Sequence, residues 1–288
     1  MGLMTANRGS DALAGLLGDY STEVSPRDRR SLEEAAACLP AGAEVFIPSA
    51  PGESAERLIA AAAFLRDAGL APVPHITARS LPDLAAADRL IGRLRDDAGL
   101  ERALVLGGDR DRPAGVLHSS LQLIEAGLFQ RHGVSRLFIA CYPEGHPGVA
   151  DAALEDARAA KLRIAEDEGL DLTLVSQFCF EPGPIIALAR RMRAKGVTVP
   201  YRVGVAGPAE RALLVKYALM CGIGPSVRAL ARRQHLARNL LAAETPEALL
   251  TEVALAREAD PALGISGVHF FTFGSPTQSA AFAKSFRG

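Results

Sequence analysis

The chain has 288 residues and a net charge of −1, with 32 lysines and arginines against 33 aspartates and glutamates, and no tryptophan. So even a balance gives no electrostatic pull toward nucleic acid or an anionic membrane, and aromatics at 5% are too sparse for a base-stacking platform. No apolar run approaches the ~18 residues of a membrane span. The opening residues MGLMTANRGSDALAGLLGDY carry Arg8, Asp11 and Asp19, which break the pattern of a secretory leader, so a cytoplasmic protein is expected.

The length suits one α/β barrel of roughly 250 residues, and the reading is a single domain over 1–288, with 1–18 as an N-terminal extension. Taken in chain order, β-type runs fall at 20–25, 44–49, 72–77, 102–109, 136–142, 172–178, 201–207 and 267–273. Helical patterns separate them. In 54–69, Leu58, Ala61, Ala62 and Leu65 make one apolar stripe that ends at Gly69, and a second helix over 81–99 ends at Gly99. Residues 208–262 read as three helices (208–220, 224–242 and a third to 262), which places extra helices between the seventh and eighth strands. Eight strand–helix alternations predict a (β/α)8 TIM barrel, with a doubly wound open sheet as the alternative. No linker, low-complexity tract or internal repeat interrupts the pattern.

In a barrel, chemistry collects at the C-terminal ends of the strands. Those ends carry Glu23, Ser49, His75, Asp109, Tyr142 with His146, Gln177 and Thr272, with few polar residues inside the strands. Each has a bland reading. Glu23 can be a solvated loop acid, His75 a hydrogen-bonded structural histidine, and Asp109 the cap of the following helix. Gln177 interrupts an apolar strand, and a buried amide without partners costs about 1–3 kcal/mol, which favours a ligand-facing role. Gly107 and Gly108 before Asp109 allow a ligand or another backbone to approach closely. Cys38, Cys141, Cys179 and Cys221 lie far apart and read as structural thiols. No metal-ligand spacing, serine-nucleophile elbow or strand-end lysine emerges.

The stretch FIACYPEGHPG, residues 138–148, sets a phenol, a carboxylate and an imidazole at one strand end, interleaved with two prolines. With STEVSP (21–26), PHIT (74–77), LGGD (106–109), SQFCFE (176–181) and GVHFFTF (267–273), it resembles the methylenetetrahydrofolate reductase family in order and approximate spacing, from about residue 20 to 275. The resemblance implies a barrel that holds FAD, with NAD(P)H and a tetrahydrofolate derivative exchanging hydride at the flavin. It implies that Glu23 is the general acid and that Asp109 lies near the flavin and the pterin. Gln177 would bond the folate ring, with Phe271 and Thr272 on the substrate. His75, Gly107, Gly108, Tyr142 and His146 would line the flavin, and Lys161 and Arg163 would meet the FAD phosphates. Gly107 stands where the family carries an arginine, and Ser275 stands near the place of another.

Two alternatives stay open. One is a flavin-independent reductase, or one for a deazaflavin or another pterin, on the same barrel. The other is a catalytically silent folate-binding partner. The Ala-rich helices would also pack closely in a homo-oligomer.

Overall fold

The computed structural model describes residues 2–221 and 243–286, so the predicted helix over 224–242 lies outside the described residues. The barrel strands are β1 (Tyr20–Glu23), β2 (Glu44–Ile47), β3 (Ala71–Thr77), β4 (Arg102–Leu106), β5 (Arg136–Cys141), β6 (Asp171–Ser176), β7 (Tyr201–Ala206) and β10 (Ile265–Phe271). They close in the order β1-β10-β7-β6-β5-β4-β3-β2. This is a (β/α)8 barrel. Closure removes the doubly wound alternative, because an open sheet would leave two edge strands unpaired.

Several predicted strands overran at their C-terminal ends. The run 102–109 stops at Leu106, and 172–178 stops at Ser176. At the first, Gly108 takes φ 95°, which no strand adopts. A second small sheet pairs β8 (Ala209–Glu210) antiparallel with β9 (Ala243–Glu244). Two-residue strands carry no periodicity, and the sequence pattern did not reveal them.

The helices form where caps and apolar stripes coincide. Helix Ala55–Asp67 starts at Ser54, whose hydroxyl accepts from the Arg57 N–H at 3.2 Å, and it buries the predicted Leu58, Ala61, Ala62 and Leu65 together with Ile59. Helix Leu84–Ala98 starts at Asp83, whose carboxylate accepts from the Ala86 N–H at 2.7 Å, and Gly99 closes it at φ 64°.

The chain divides into two compact units. One comprises Met1–Thr22, Cys141–Asp151 and Val175–Gly288. Within it, β1 pairs β10 (Tyr20 with Val268, Ser21 with His269) and β10 pairs β7 (His269 with Gly204). The N-terminal residues form helix Gly2–Leu16, with Ala12, Leu13, Leu16 and Leu17 buried. That helix packs on helix Glu247–Ala259: Arg257 donates to the Gly15 carbonyl at 3.1 Å, and a Cβ at Gly9 would lie 3.2 Å from Thr251 Cγ2. The other unit comprises Glu23–Ala140 and Ala152–Leu174 and contains the β2-β3-β4-β5 ladder, in which His75 lies opposite Leu104, and Leu104 opposite Phe138. No helix among the described residues is long and apolar enough to cross a membrane.

Leu13, in the helix formed by the N-terminal extension, is 1% exposed. Leu13→Ala is expected to cost about 2–5 kcal/mol, the range for a buried leucine truncation. Urea unfolding of the two proteins checks this, and a midpoint unchanged within error would mean that the helix is not part of the core.

Candidate functional site

Glu23 is the last residue of β1, and His75 lies inside β3, two residues short of its end. In an extended strand, alternate residues share a face, so Val73, His75 and Thr77 point the same way. The His75 ring packs edge-on against Phe46 at 6.1 Å, and Phe46 packs against Phe138 at 5.0 Å. His75 Nε2 comes within 3.8 Å of Glu23 Oε2, beyond hydrogen-bond range, and is buried with no hydrogen-bond partner among the described residues. Burial alone raises the Glu23 carboxyl from 4.5 to about 7 and lowers the His75 imidazole from 6.5 to about 3. Glu23 still keeps 22% of its side-chain exposure, so it can be reached from outside. The pair is a carboxylic acid protonated up to neutrality beside a neutral imidazole. The bland reading of Glu23 as a solvated loop acid does not survive this geometry.

The loop after β1 is held by Glu53. Its side chain is 2% exposed and accepts from Arg27 at 2.6 Å and Arg57 at 2.8 Å. The loop after β4 carries Gly107, Gly108 and Asp109. A Cβ on Gly108 would lie 3.1 Å from Thr77 Cβ, so its close approach is to its own chain; one on Gly107 would meet nothing within 4 Å. Asp109 is exposed and caps nothing, because the next helix, Ser120–Glu125, takes its capping box from Ser119 and Gln122.

In the other unit, Tyr142 and His146 meet edge-on with ring centroids 4.9 Å apart. His146 Nδ1 accepts from the Gly148 N–H at 3.1 Å, which leaves Nε2 to carry the proton of the neutral ring. Gln177 is half-buried. Its Oε1 accepts from the Phe178 N–H at 3.0 Å, and its Nε2 makes no hydrogen bond with a described residue. Phe271 packs against Phe178 at 5.2 Å and His269 at 4.9 Å, and Thr272 is buried just past β10. Cys179 is buried, and burial with the nearby Glu144 and Cys141 pushes its thiol far up, so it is inert. None of the four cysteines is in a disulfide.

Lys161 and Arg163 both lie on helix Asp151–Asp167. Residues two apart on a helix do not share a face. Lys161 is half-buried, and burial lowers its ammonium to about 8, while Arg163 is exposed.

The expectation of few polar residues inside the strands fails. Ser21, Thr22, His75, Thr173, Ser176, Arg202 and His269 are all buried within them. Ser21 Oγ and His269 Nδ1 lie 2.9 Å apart across β1 and β10, and Arg202 donates to both oxygens of Asp19 at 2.9 and 3.0 Å. A histidine in the apolar run GVHFF was a visible signal for the first pair; nothing local marked the second. Phe273, stacked on Tyr217 at 4.4 Å, sits at φ 48°, a strained value for a bulky residue.

No family model matches the sequence. The structure is similar to dihydropteroate synthase from Thermus thermophilus, at 16% identity over 93% of each chain with a TM-score of 0.50. It is also similar to a Burkholderia cenocepacia protein provisionally assigned as a lyase/mutase, at 16% identity over 97% of this chain and 84% of that one, with a TM-score of 0.47. At such identity, the first likeness speaks for the barrel alone.

Because the folded pKa of Glu23 is raised, the native state holds a proton that the unfolded chain releases between 4.5 and about 7. The Glu23 contribution to stability therefore falls as pH rises through that window, by about 3 kcal/mol. His75 acts on the acid side, where its lowered pKa costs stability as pH falls from 6.5 toward about 3. Between about pH 4.5 and 6.5 the two contributions run in opposite directions and nearly cancel, so Glu23→Gln is expected to unmask a stability that rises with pH across that range. Urea unfolding across that range checks it, and an unchanged slope would count against a raised Glu23.

Proposed function

We propose that the protein is a flavin-dependent oxidoreductase of the methylenetetrahydrofolate reductase type. It would interconvert 5,10-methylenetetrahydrofolate and 5-methyltetrahydrofolate with NAD(P)H as hydride partner. The observation that carries this reading is Glu23, a carboxyl raised by burial to about 7, beside a neutral His75 3.8 Å away. An acid whose pKa lies near the operating pH gives up and regains a proton with the least penalty. Glu23 would protonate the amine nitrogen that departs as the five-membered ring of the folate opens. The iminium left behind is the hydride acceptor.

The residues present fit a flavin in two respects. The buried His75 Nε2 has no hydrogen-bond partner among the described residues, and the bare Cα of Gly107 faces open space. Flavin, when bound, supplies the two-electron hydride chemistry. His75, Gly107, Gly108, Tyr142 and His146 would hold its ring system and adjoining groups. The His146 Nε2–H serves as a fixed donor, because Nδ1 is already engaged by Gly148. Of the two basic residues assigned to the FAD phosphates, Lys161 is the one set partly inside the protein. Asp109 would support the cationic iminium, and the Gln177 Nε2 is available to a folate ring acceptor. Phe271 and Thr272 would contact the same substrate. The similar barrel of dihydropteroate synthase is compatible with a pterin ligand.

Gly107, placed where the family has arginine and facing open space, favours one second reading: a reductase for a deazaflavin or another pterin on the same residues. Native mass spectrometry of the ligand carried through purification separates the two.

A yellow protein whose flavin absorbance is bleached by anaerobic NADH or NADPH is expected. Glu23→Gln should keep that bleaching and lose folate turnover by on the order of a hundredfold or more. A protein that neither carries nor takes up FAD would overturn the flavin reading. Equal loss of both half-reactions would overturn the acid role.

A further inference from the structure

We infer that Arg79 is a positioning residue for Asp109, acting through the backbone of the loop after β4. The inference deepens the reading above and rests on it for the role of Asp109. Arg79 belongs to the single 3₁₀ turn Ala78–Ser80 that follows β3. Four hydrogen bonds tie this one residue to the neighbouring loop. Its backbone N–H donates to the Gly107 carbonyl at 2.8 Å, and its carbonyl accepts from the Ala114 N–H at 2.9 Å. Its guanidinium donates from Nε to the Arg110 carbonyl and from Nη2 to the Asp111 carbonyl, both at 2.7 Å. These bonds bracket Asp109, one before it in the chain and three after. Gly108, at φ 95°, turns the backbone against Thr77, where a side chain would be strained and would lie 3.1 Å from Thr77 Cβ.

The Asp109 side chain is exposed and makes no hydrogen bond with a described residue, so the loop backbone sets the point from which its carboxylate projects. Residues 107–119 contain no helix or strand, and ordering such a stretch costs roughly 1–2 kcal/mol of entropy per residue. A planar guanidinium that spans two successive carbonyls meets part of that cost with a single side chain. Lysine, a point charge without the fork, cannot reproduce the geometry. The far half of the loop is anchored separately. Val116 N–H donates to the Pro82 carbonyl at 2.9 Å, and the N–H groups of His118 and Ser119 donate to Gln122 Oε1 at 2.7 and 3.1 Å. The Arg79 bonds are thus concentrated on the segment that bears the carboxylate.

The test is a double-mutant cycle on the full chain. Arg79→Ala and Arg79→Lys are made alone and in an Asp109→Asn background. Hydrogen exchange of amides 108–114 and the folate-dependent rate after flavin reduction are then measured. Arg79→Ala is expected to speed exchange at 108–114 while 116–119 keep their protection, and to lower that rate by on the order of tenfold to a hundredfold. Arg79→Lys should fail to restore either. In the Asp109→Asn background, removing Arg79 should cost little more. An additive loss there would show that Arg79 acts elsewhere, and unchanged exchange at 108–114 would remove the clamp whatever the enzyme turns over. Absence of any folate turnover in the parent protein would sink the functional reading, with the exchange result still deciding the clamp.

Discussion

Desolvation governs the region around Glu23. Burial moves Glu23 upward and His75 downward, so that near pH 7 the imidazole is neutral and the carboxyl is about half protonated. Two neutral groups 3.8 Å apart can share an apolar setting that an ion pair would make costly. A carboxylic acid kept protonated this way is a proton source, and an imidazole kept neutral stays out of competition for that proton. The rest of the functional reading depends on this state. A solvated Glu23 would be an ordinary carboxylate with nothing to give.

Elsewhere, the chain uses local structure to aim polar groups. Tyr142 and His146 owe their edge-on contact to a loop that turns at Gly145, φ 80°, and is pinned where His146 accepts from Gly148. The flanking prolines, Pro143 and Pro147, restrict φ on either side, so the two rings are held at small entropic cost. Each ring is thus followed directly by a proline, and a freely turning loop would not keep the two together. Arg79 does the equivalent work for the loop after β4, through hydrogen bonds to carbonyls in place of ring constraint.

Some of this was readable beforehand, and some was not. The stripe Leu58, Ala61, Ala62, Leu65 and the stops at Gly69 and Gly99 follow from period and cap chemistry, which act within a few residues. The N-terminal helix was not readable as core. Its buried face depends on helix Glu247–Ala259, far along the chain. The pair between exposed Asp19 and buried Arg202 spans 183 residues and leaves no local trace in either segment. Lys161 and Arg163 looked like one basic cluster in the sequence, yet the helical period turns them to different faces.

By itself, the sequence determined the alternation of strands and helices, the barrel those eight repeats imply, and the residue types available near the strand ends. These follow from periodicity and backbone preference, which are short-range. Only the tertiary structure decided which of those residues are chemically altered. It placed Glu23 and His75 in low-dielectric surroundings, left Asp109 exposed on a backbone clamped by Arg79, and tied Gln177 Oε1 to its neighbour's N–H. Burial is a property of everything packed around an atom, and residues distant in the chain supply it.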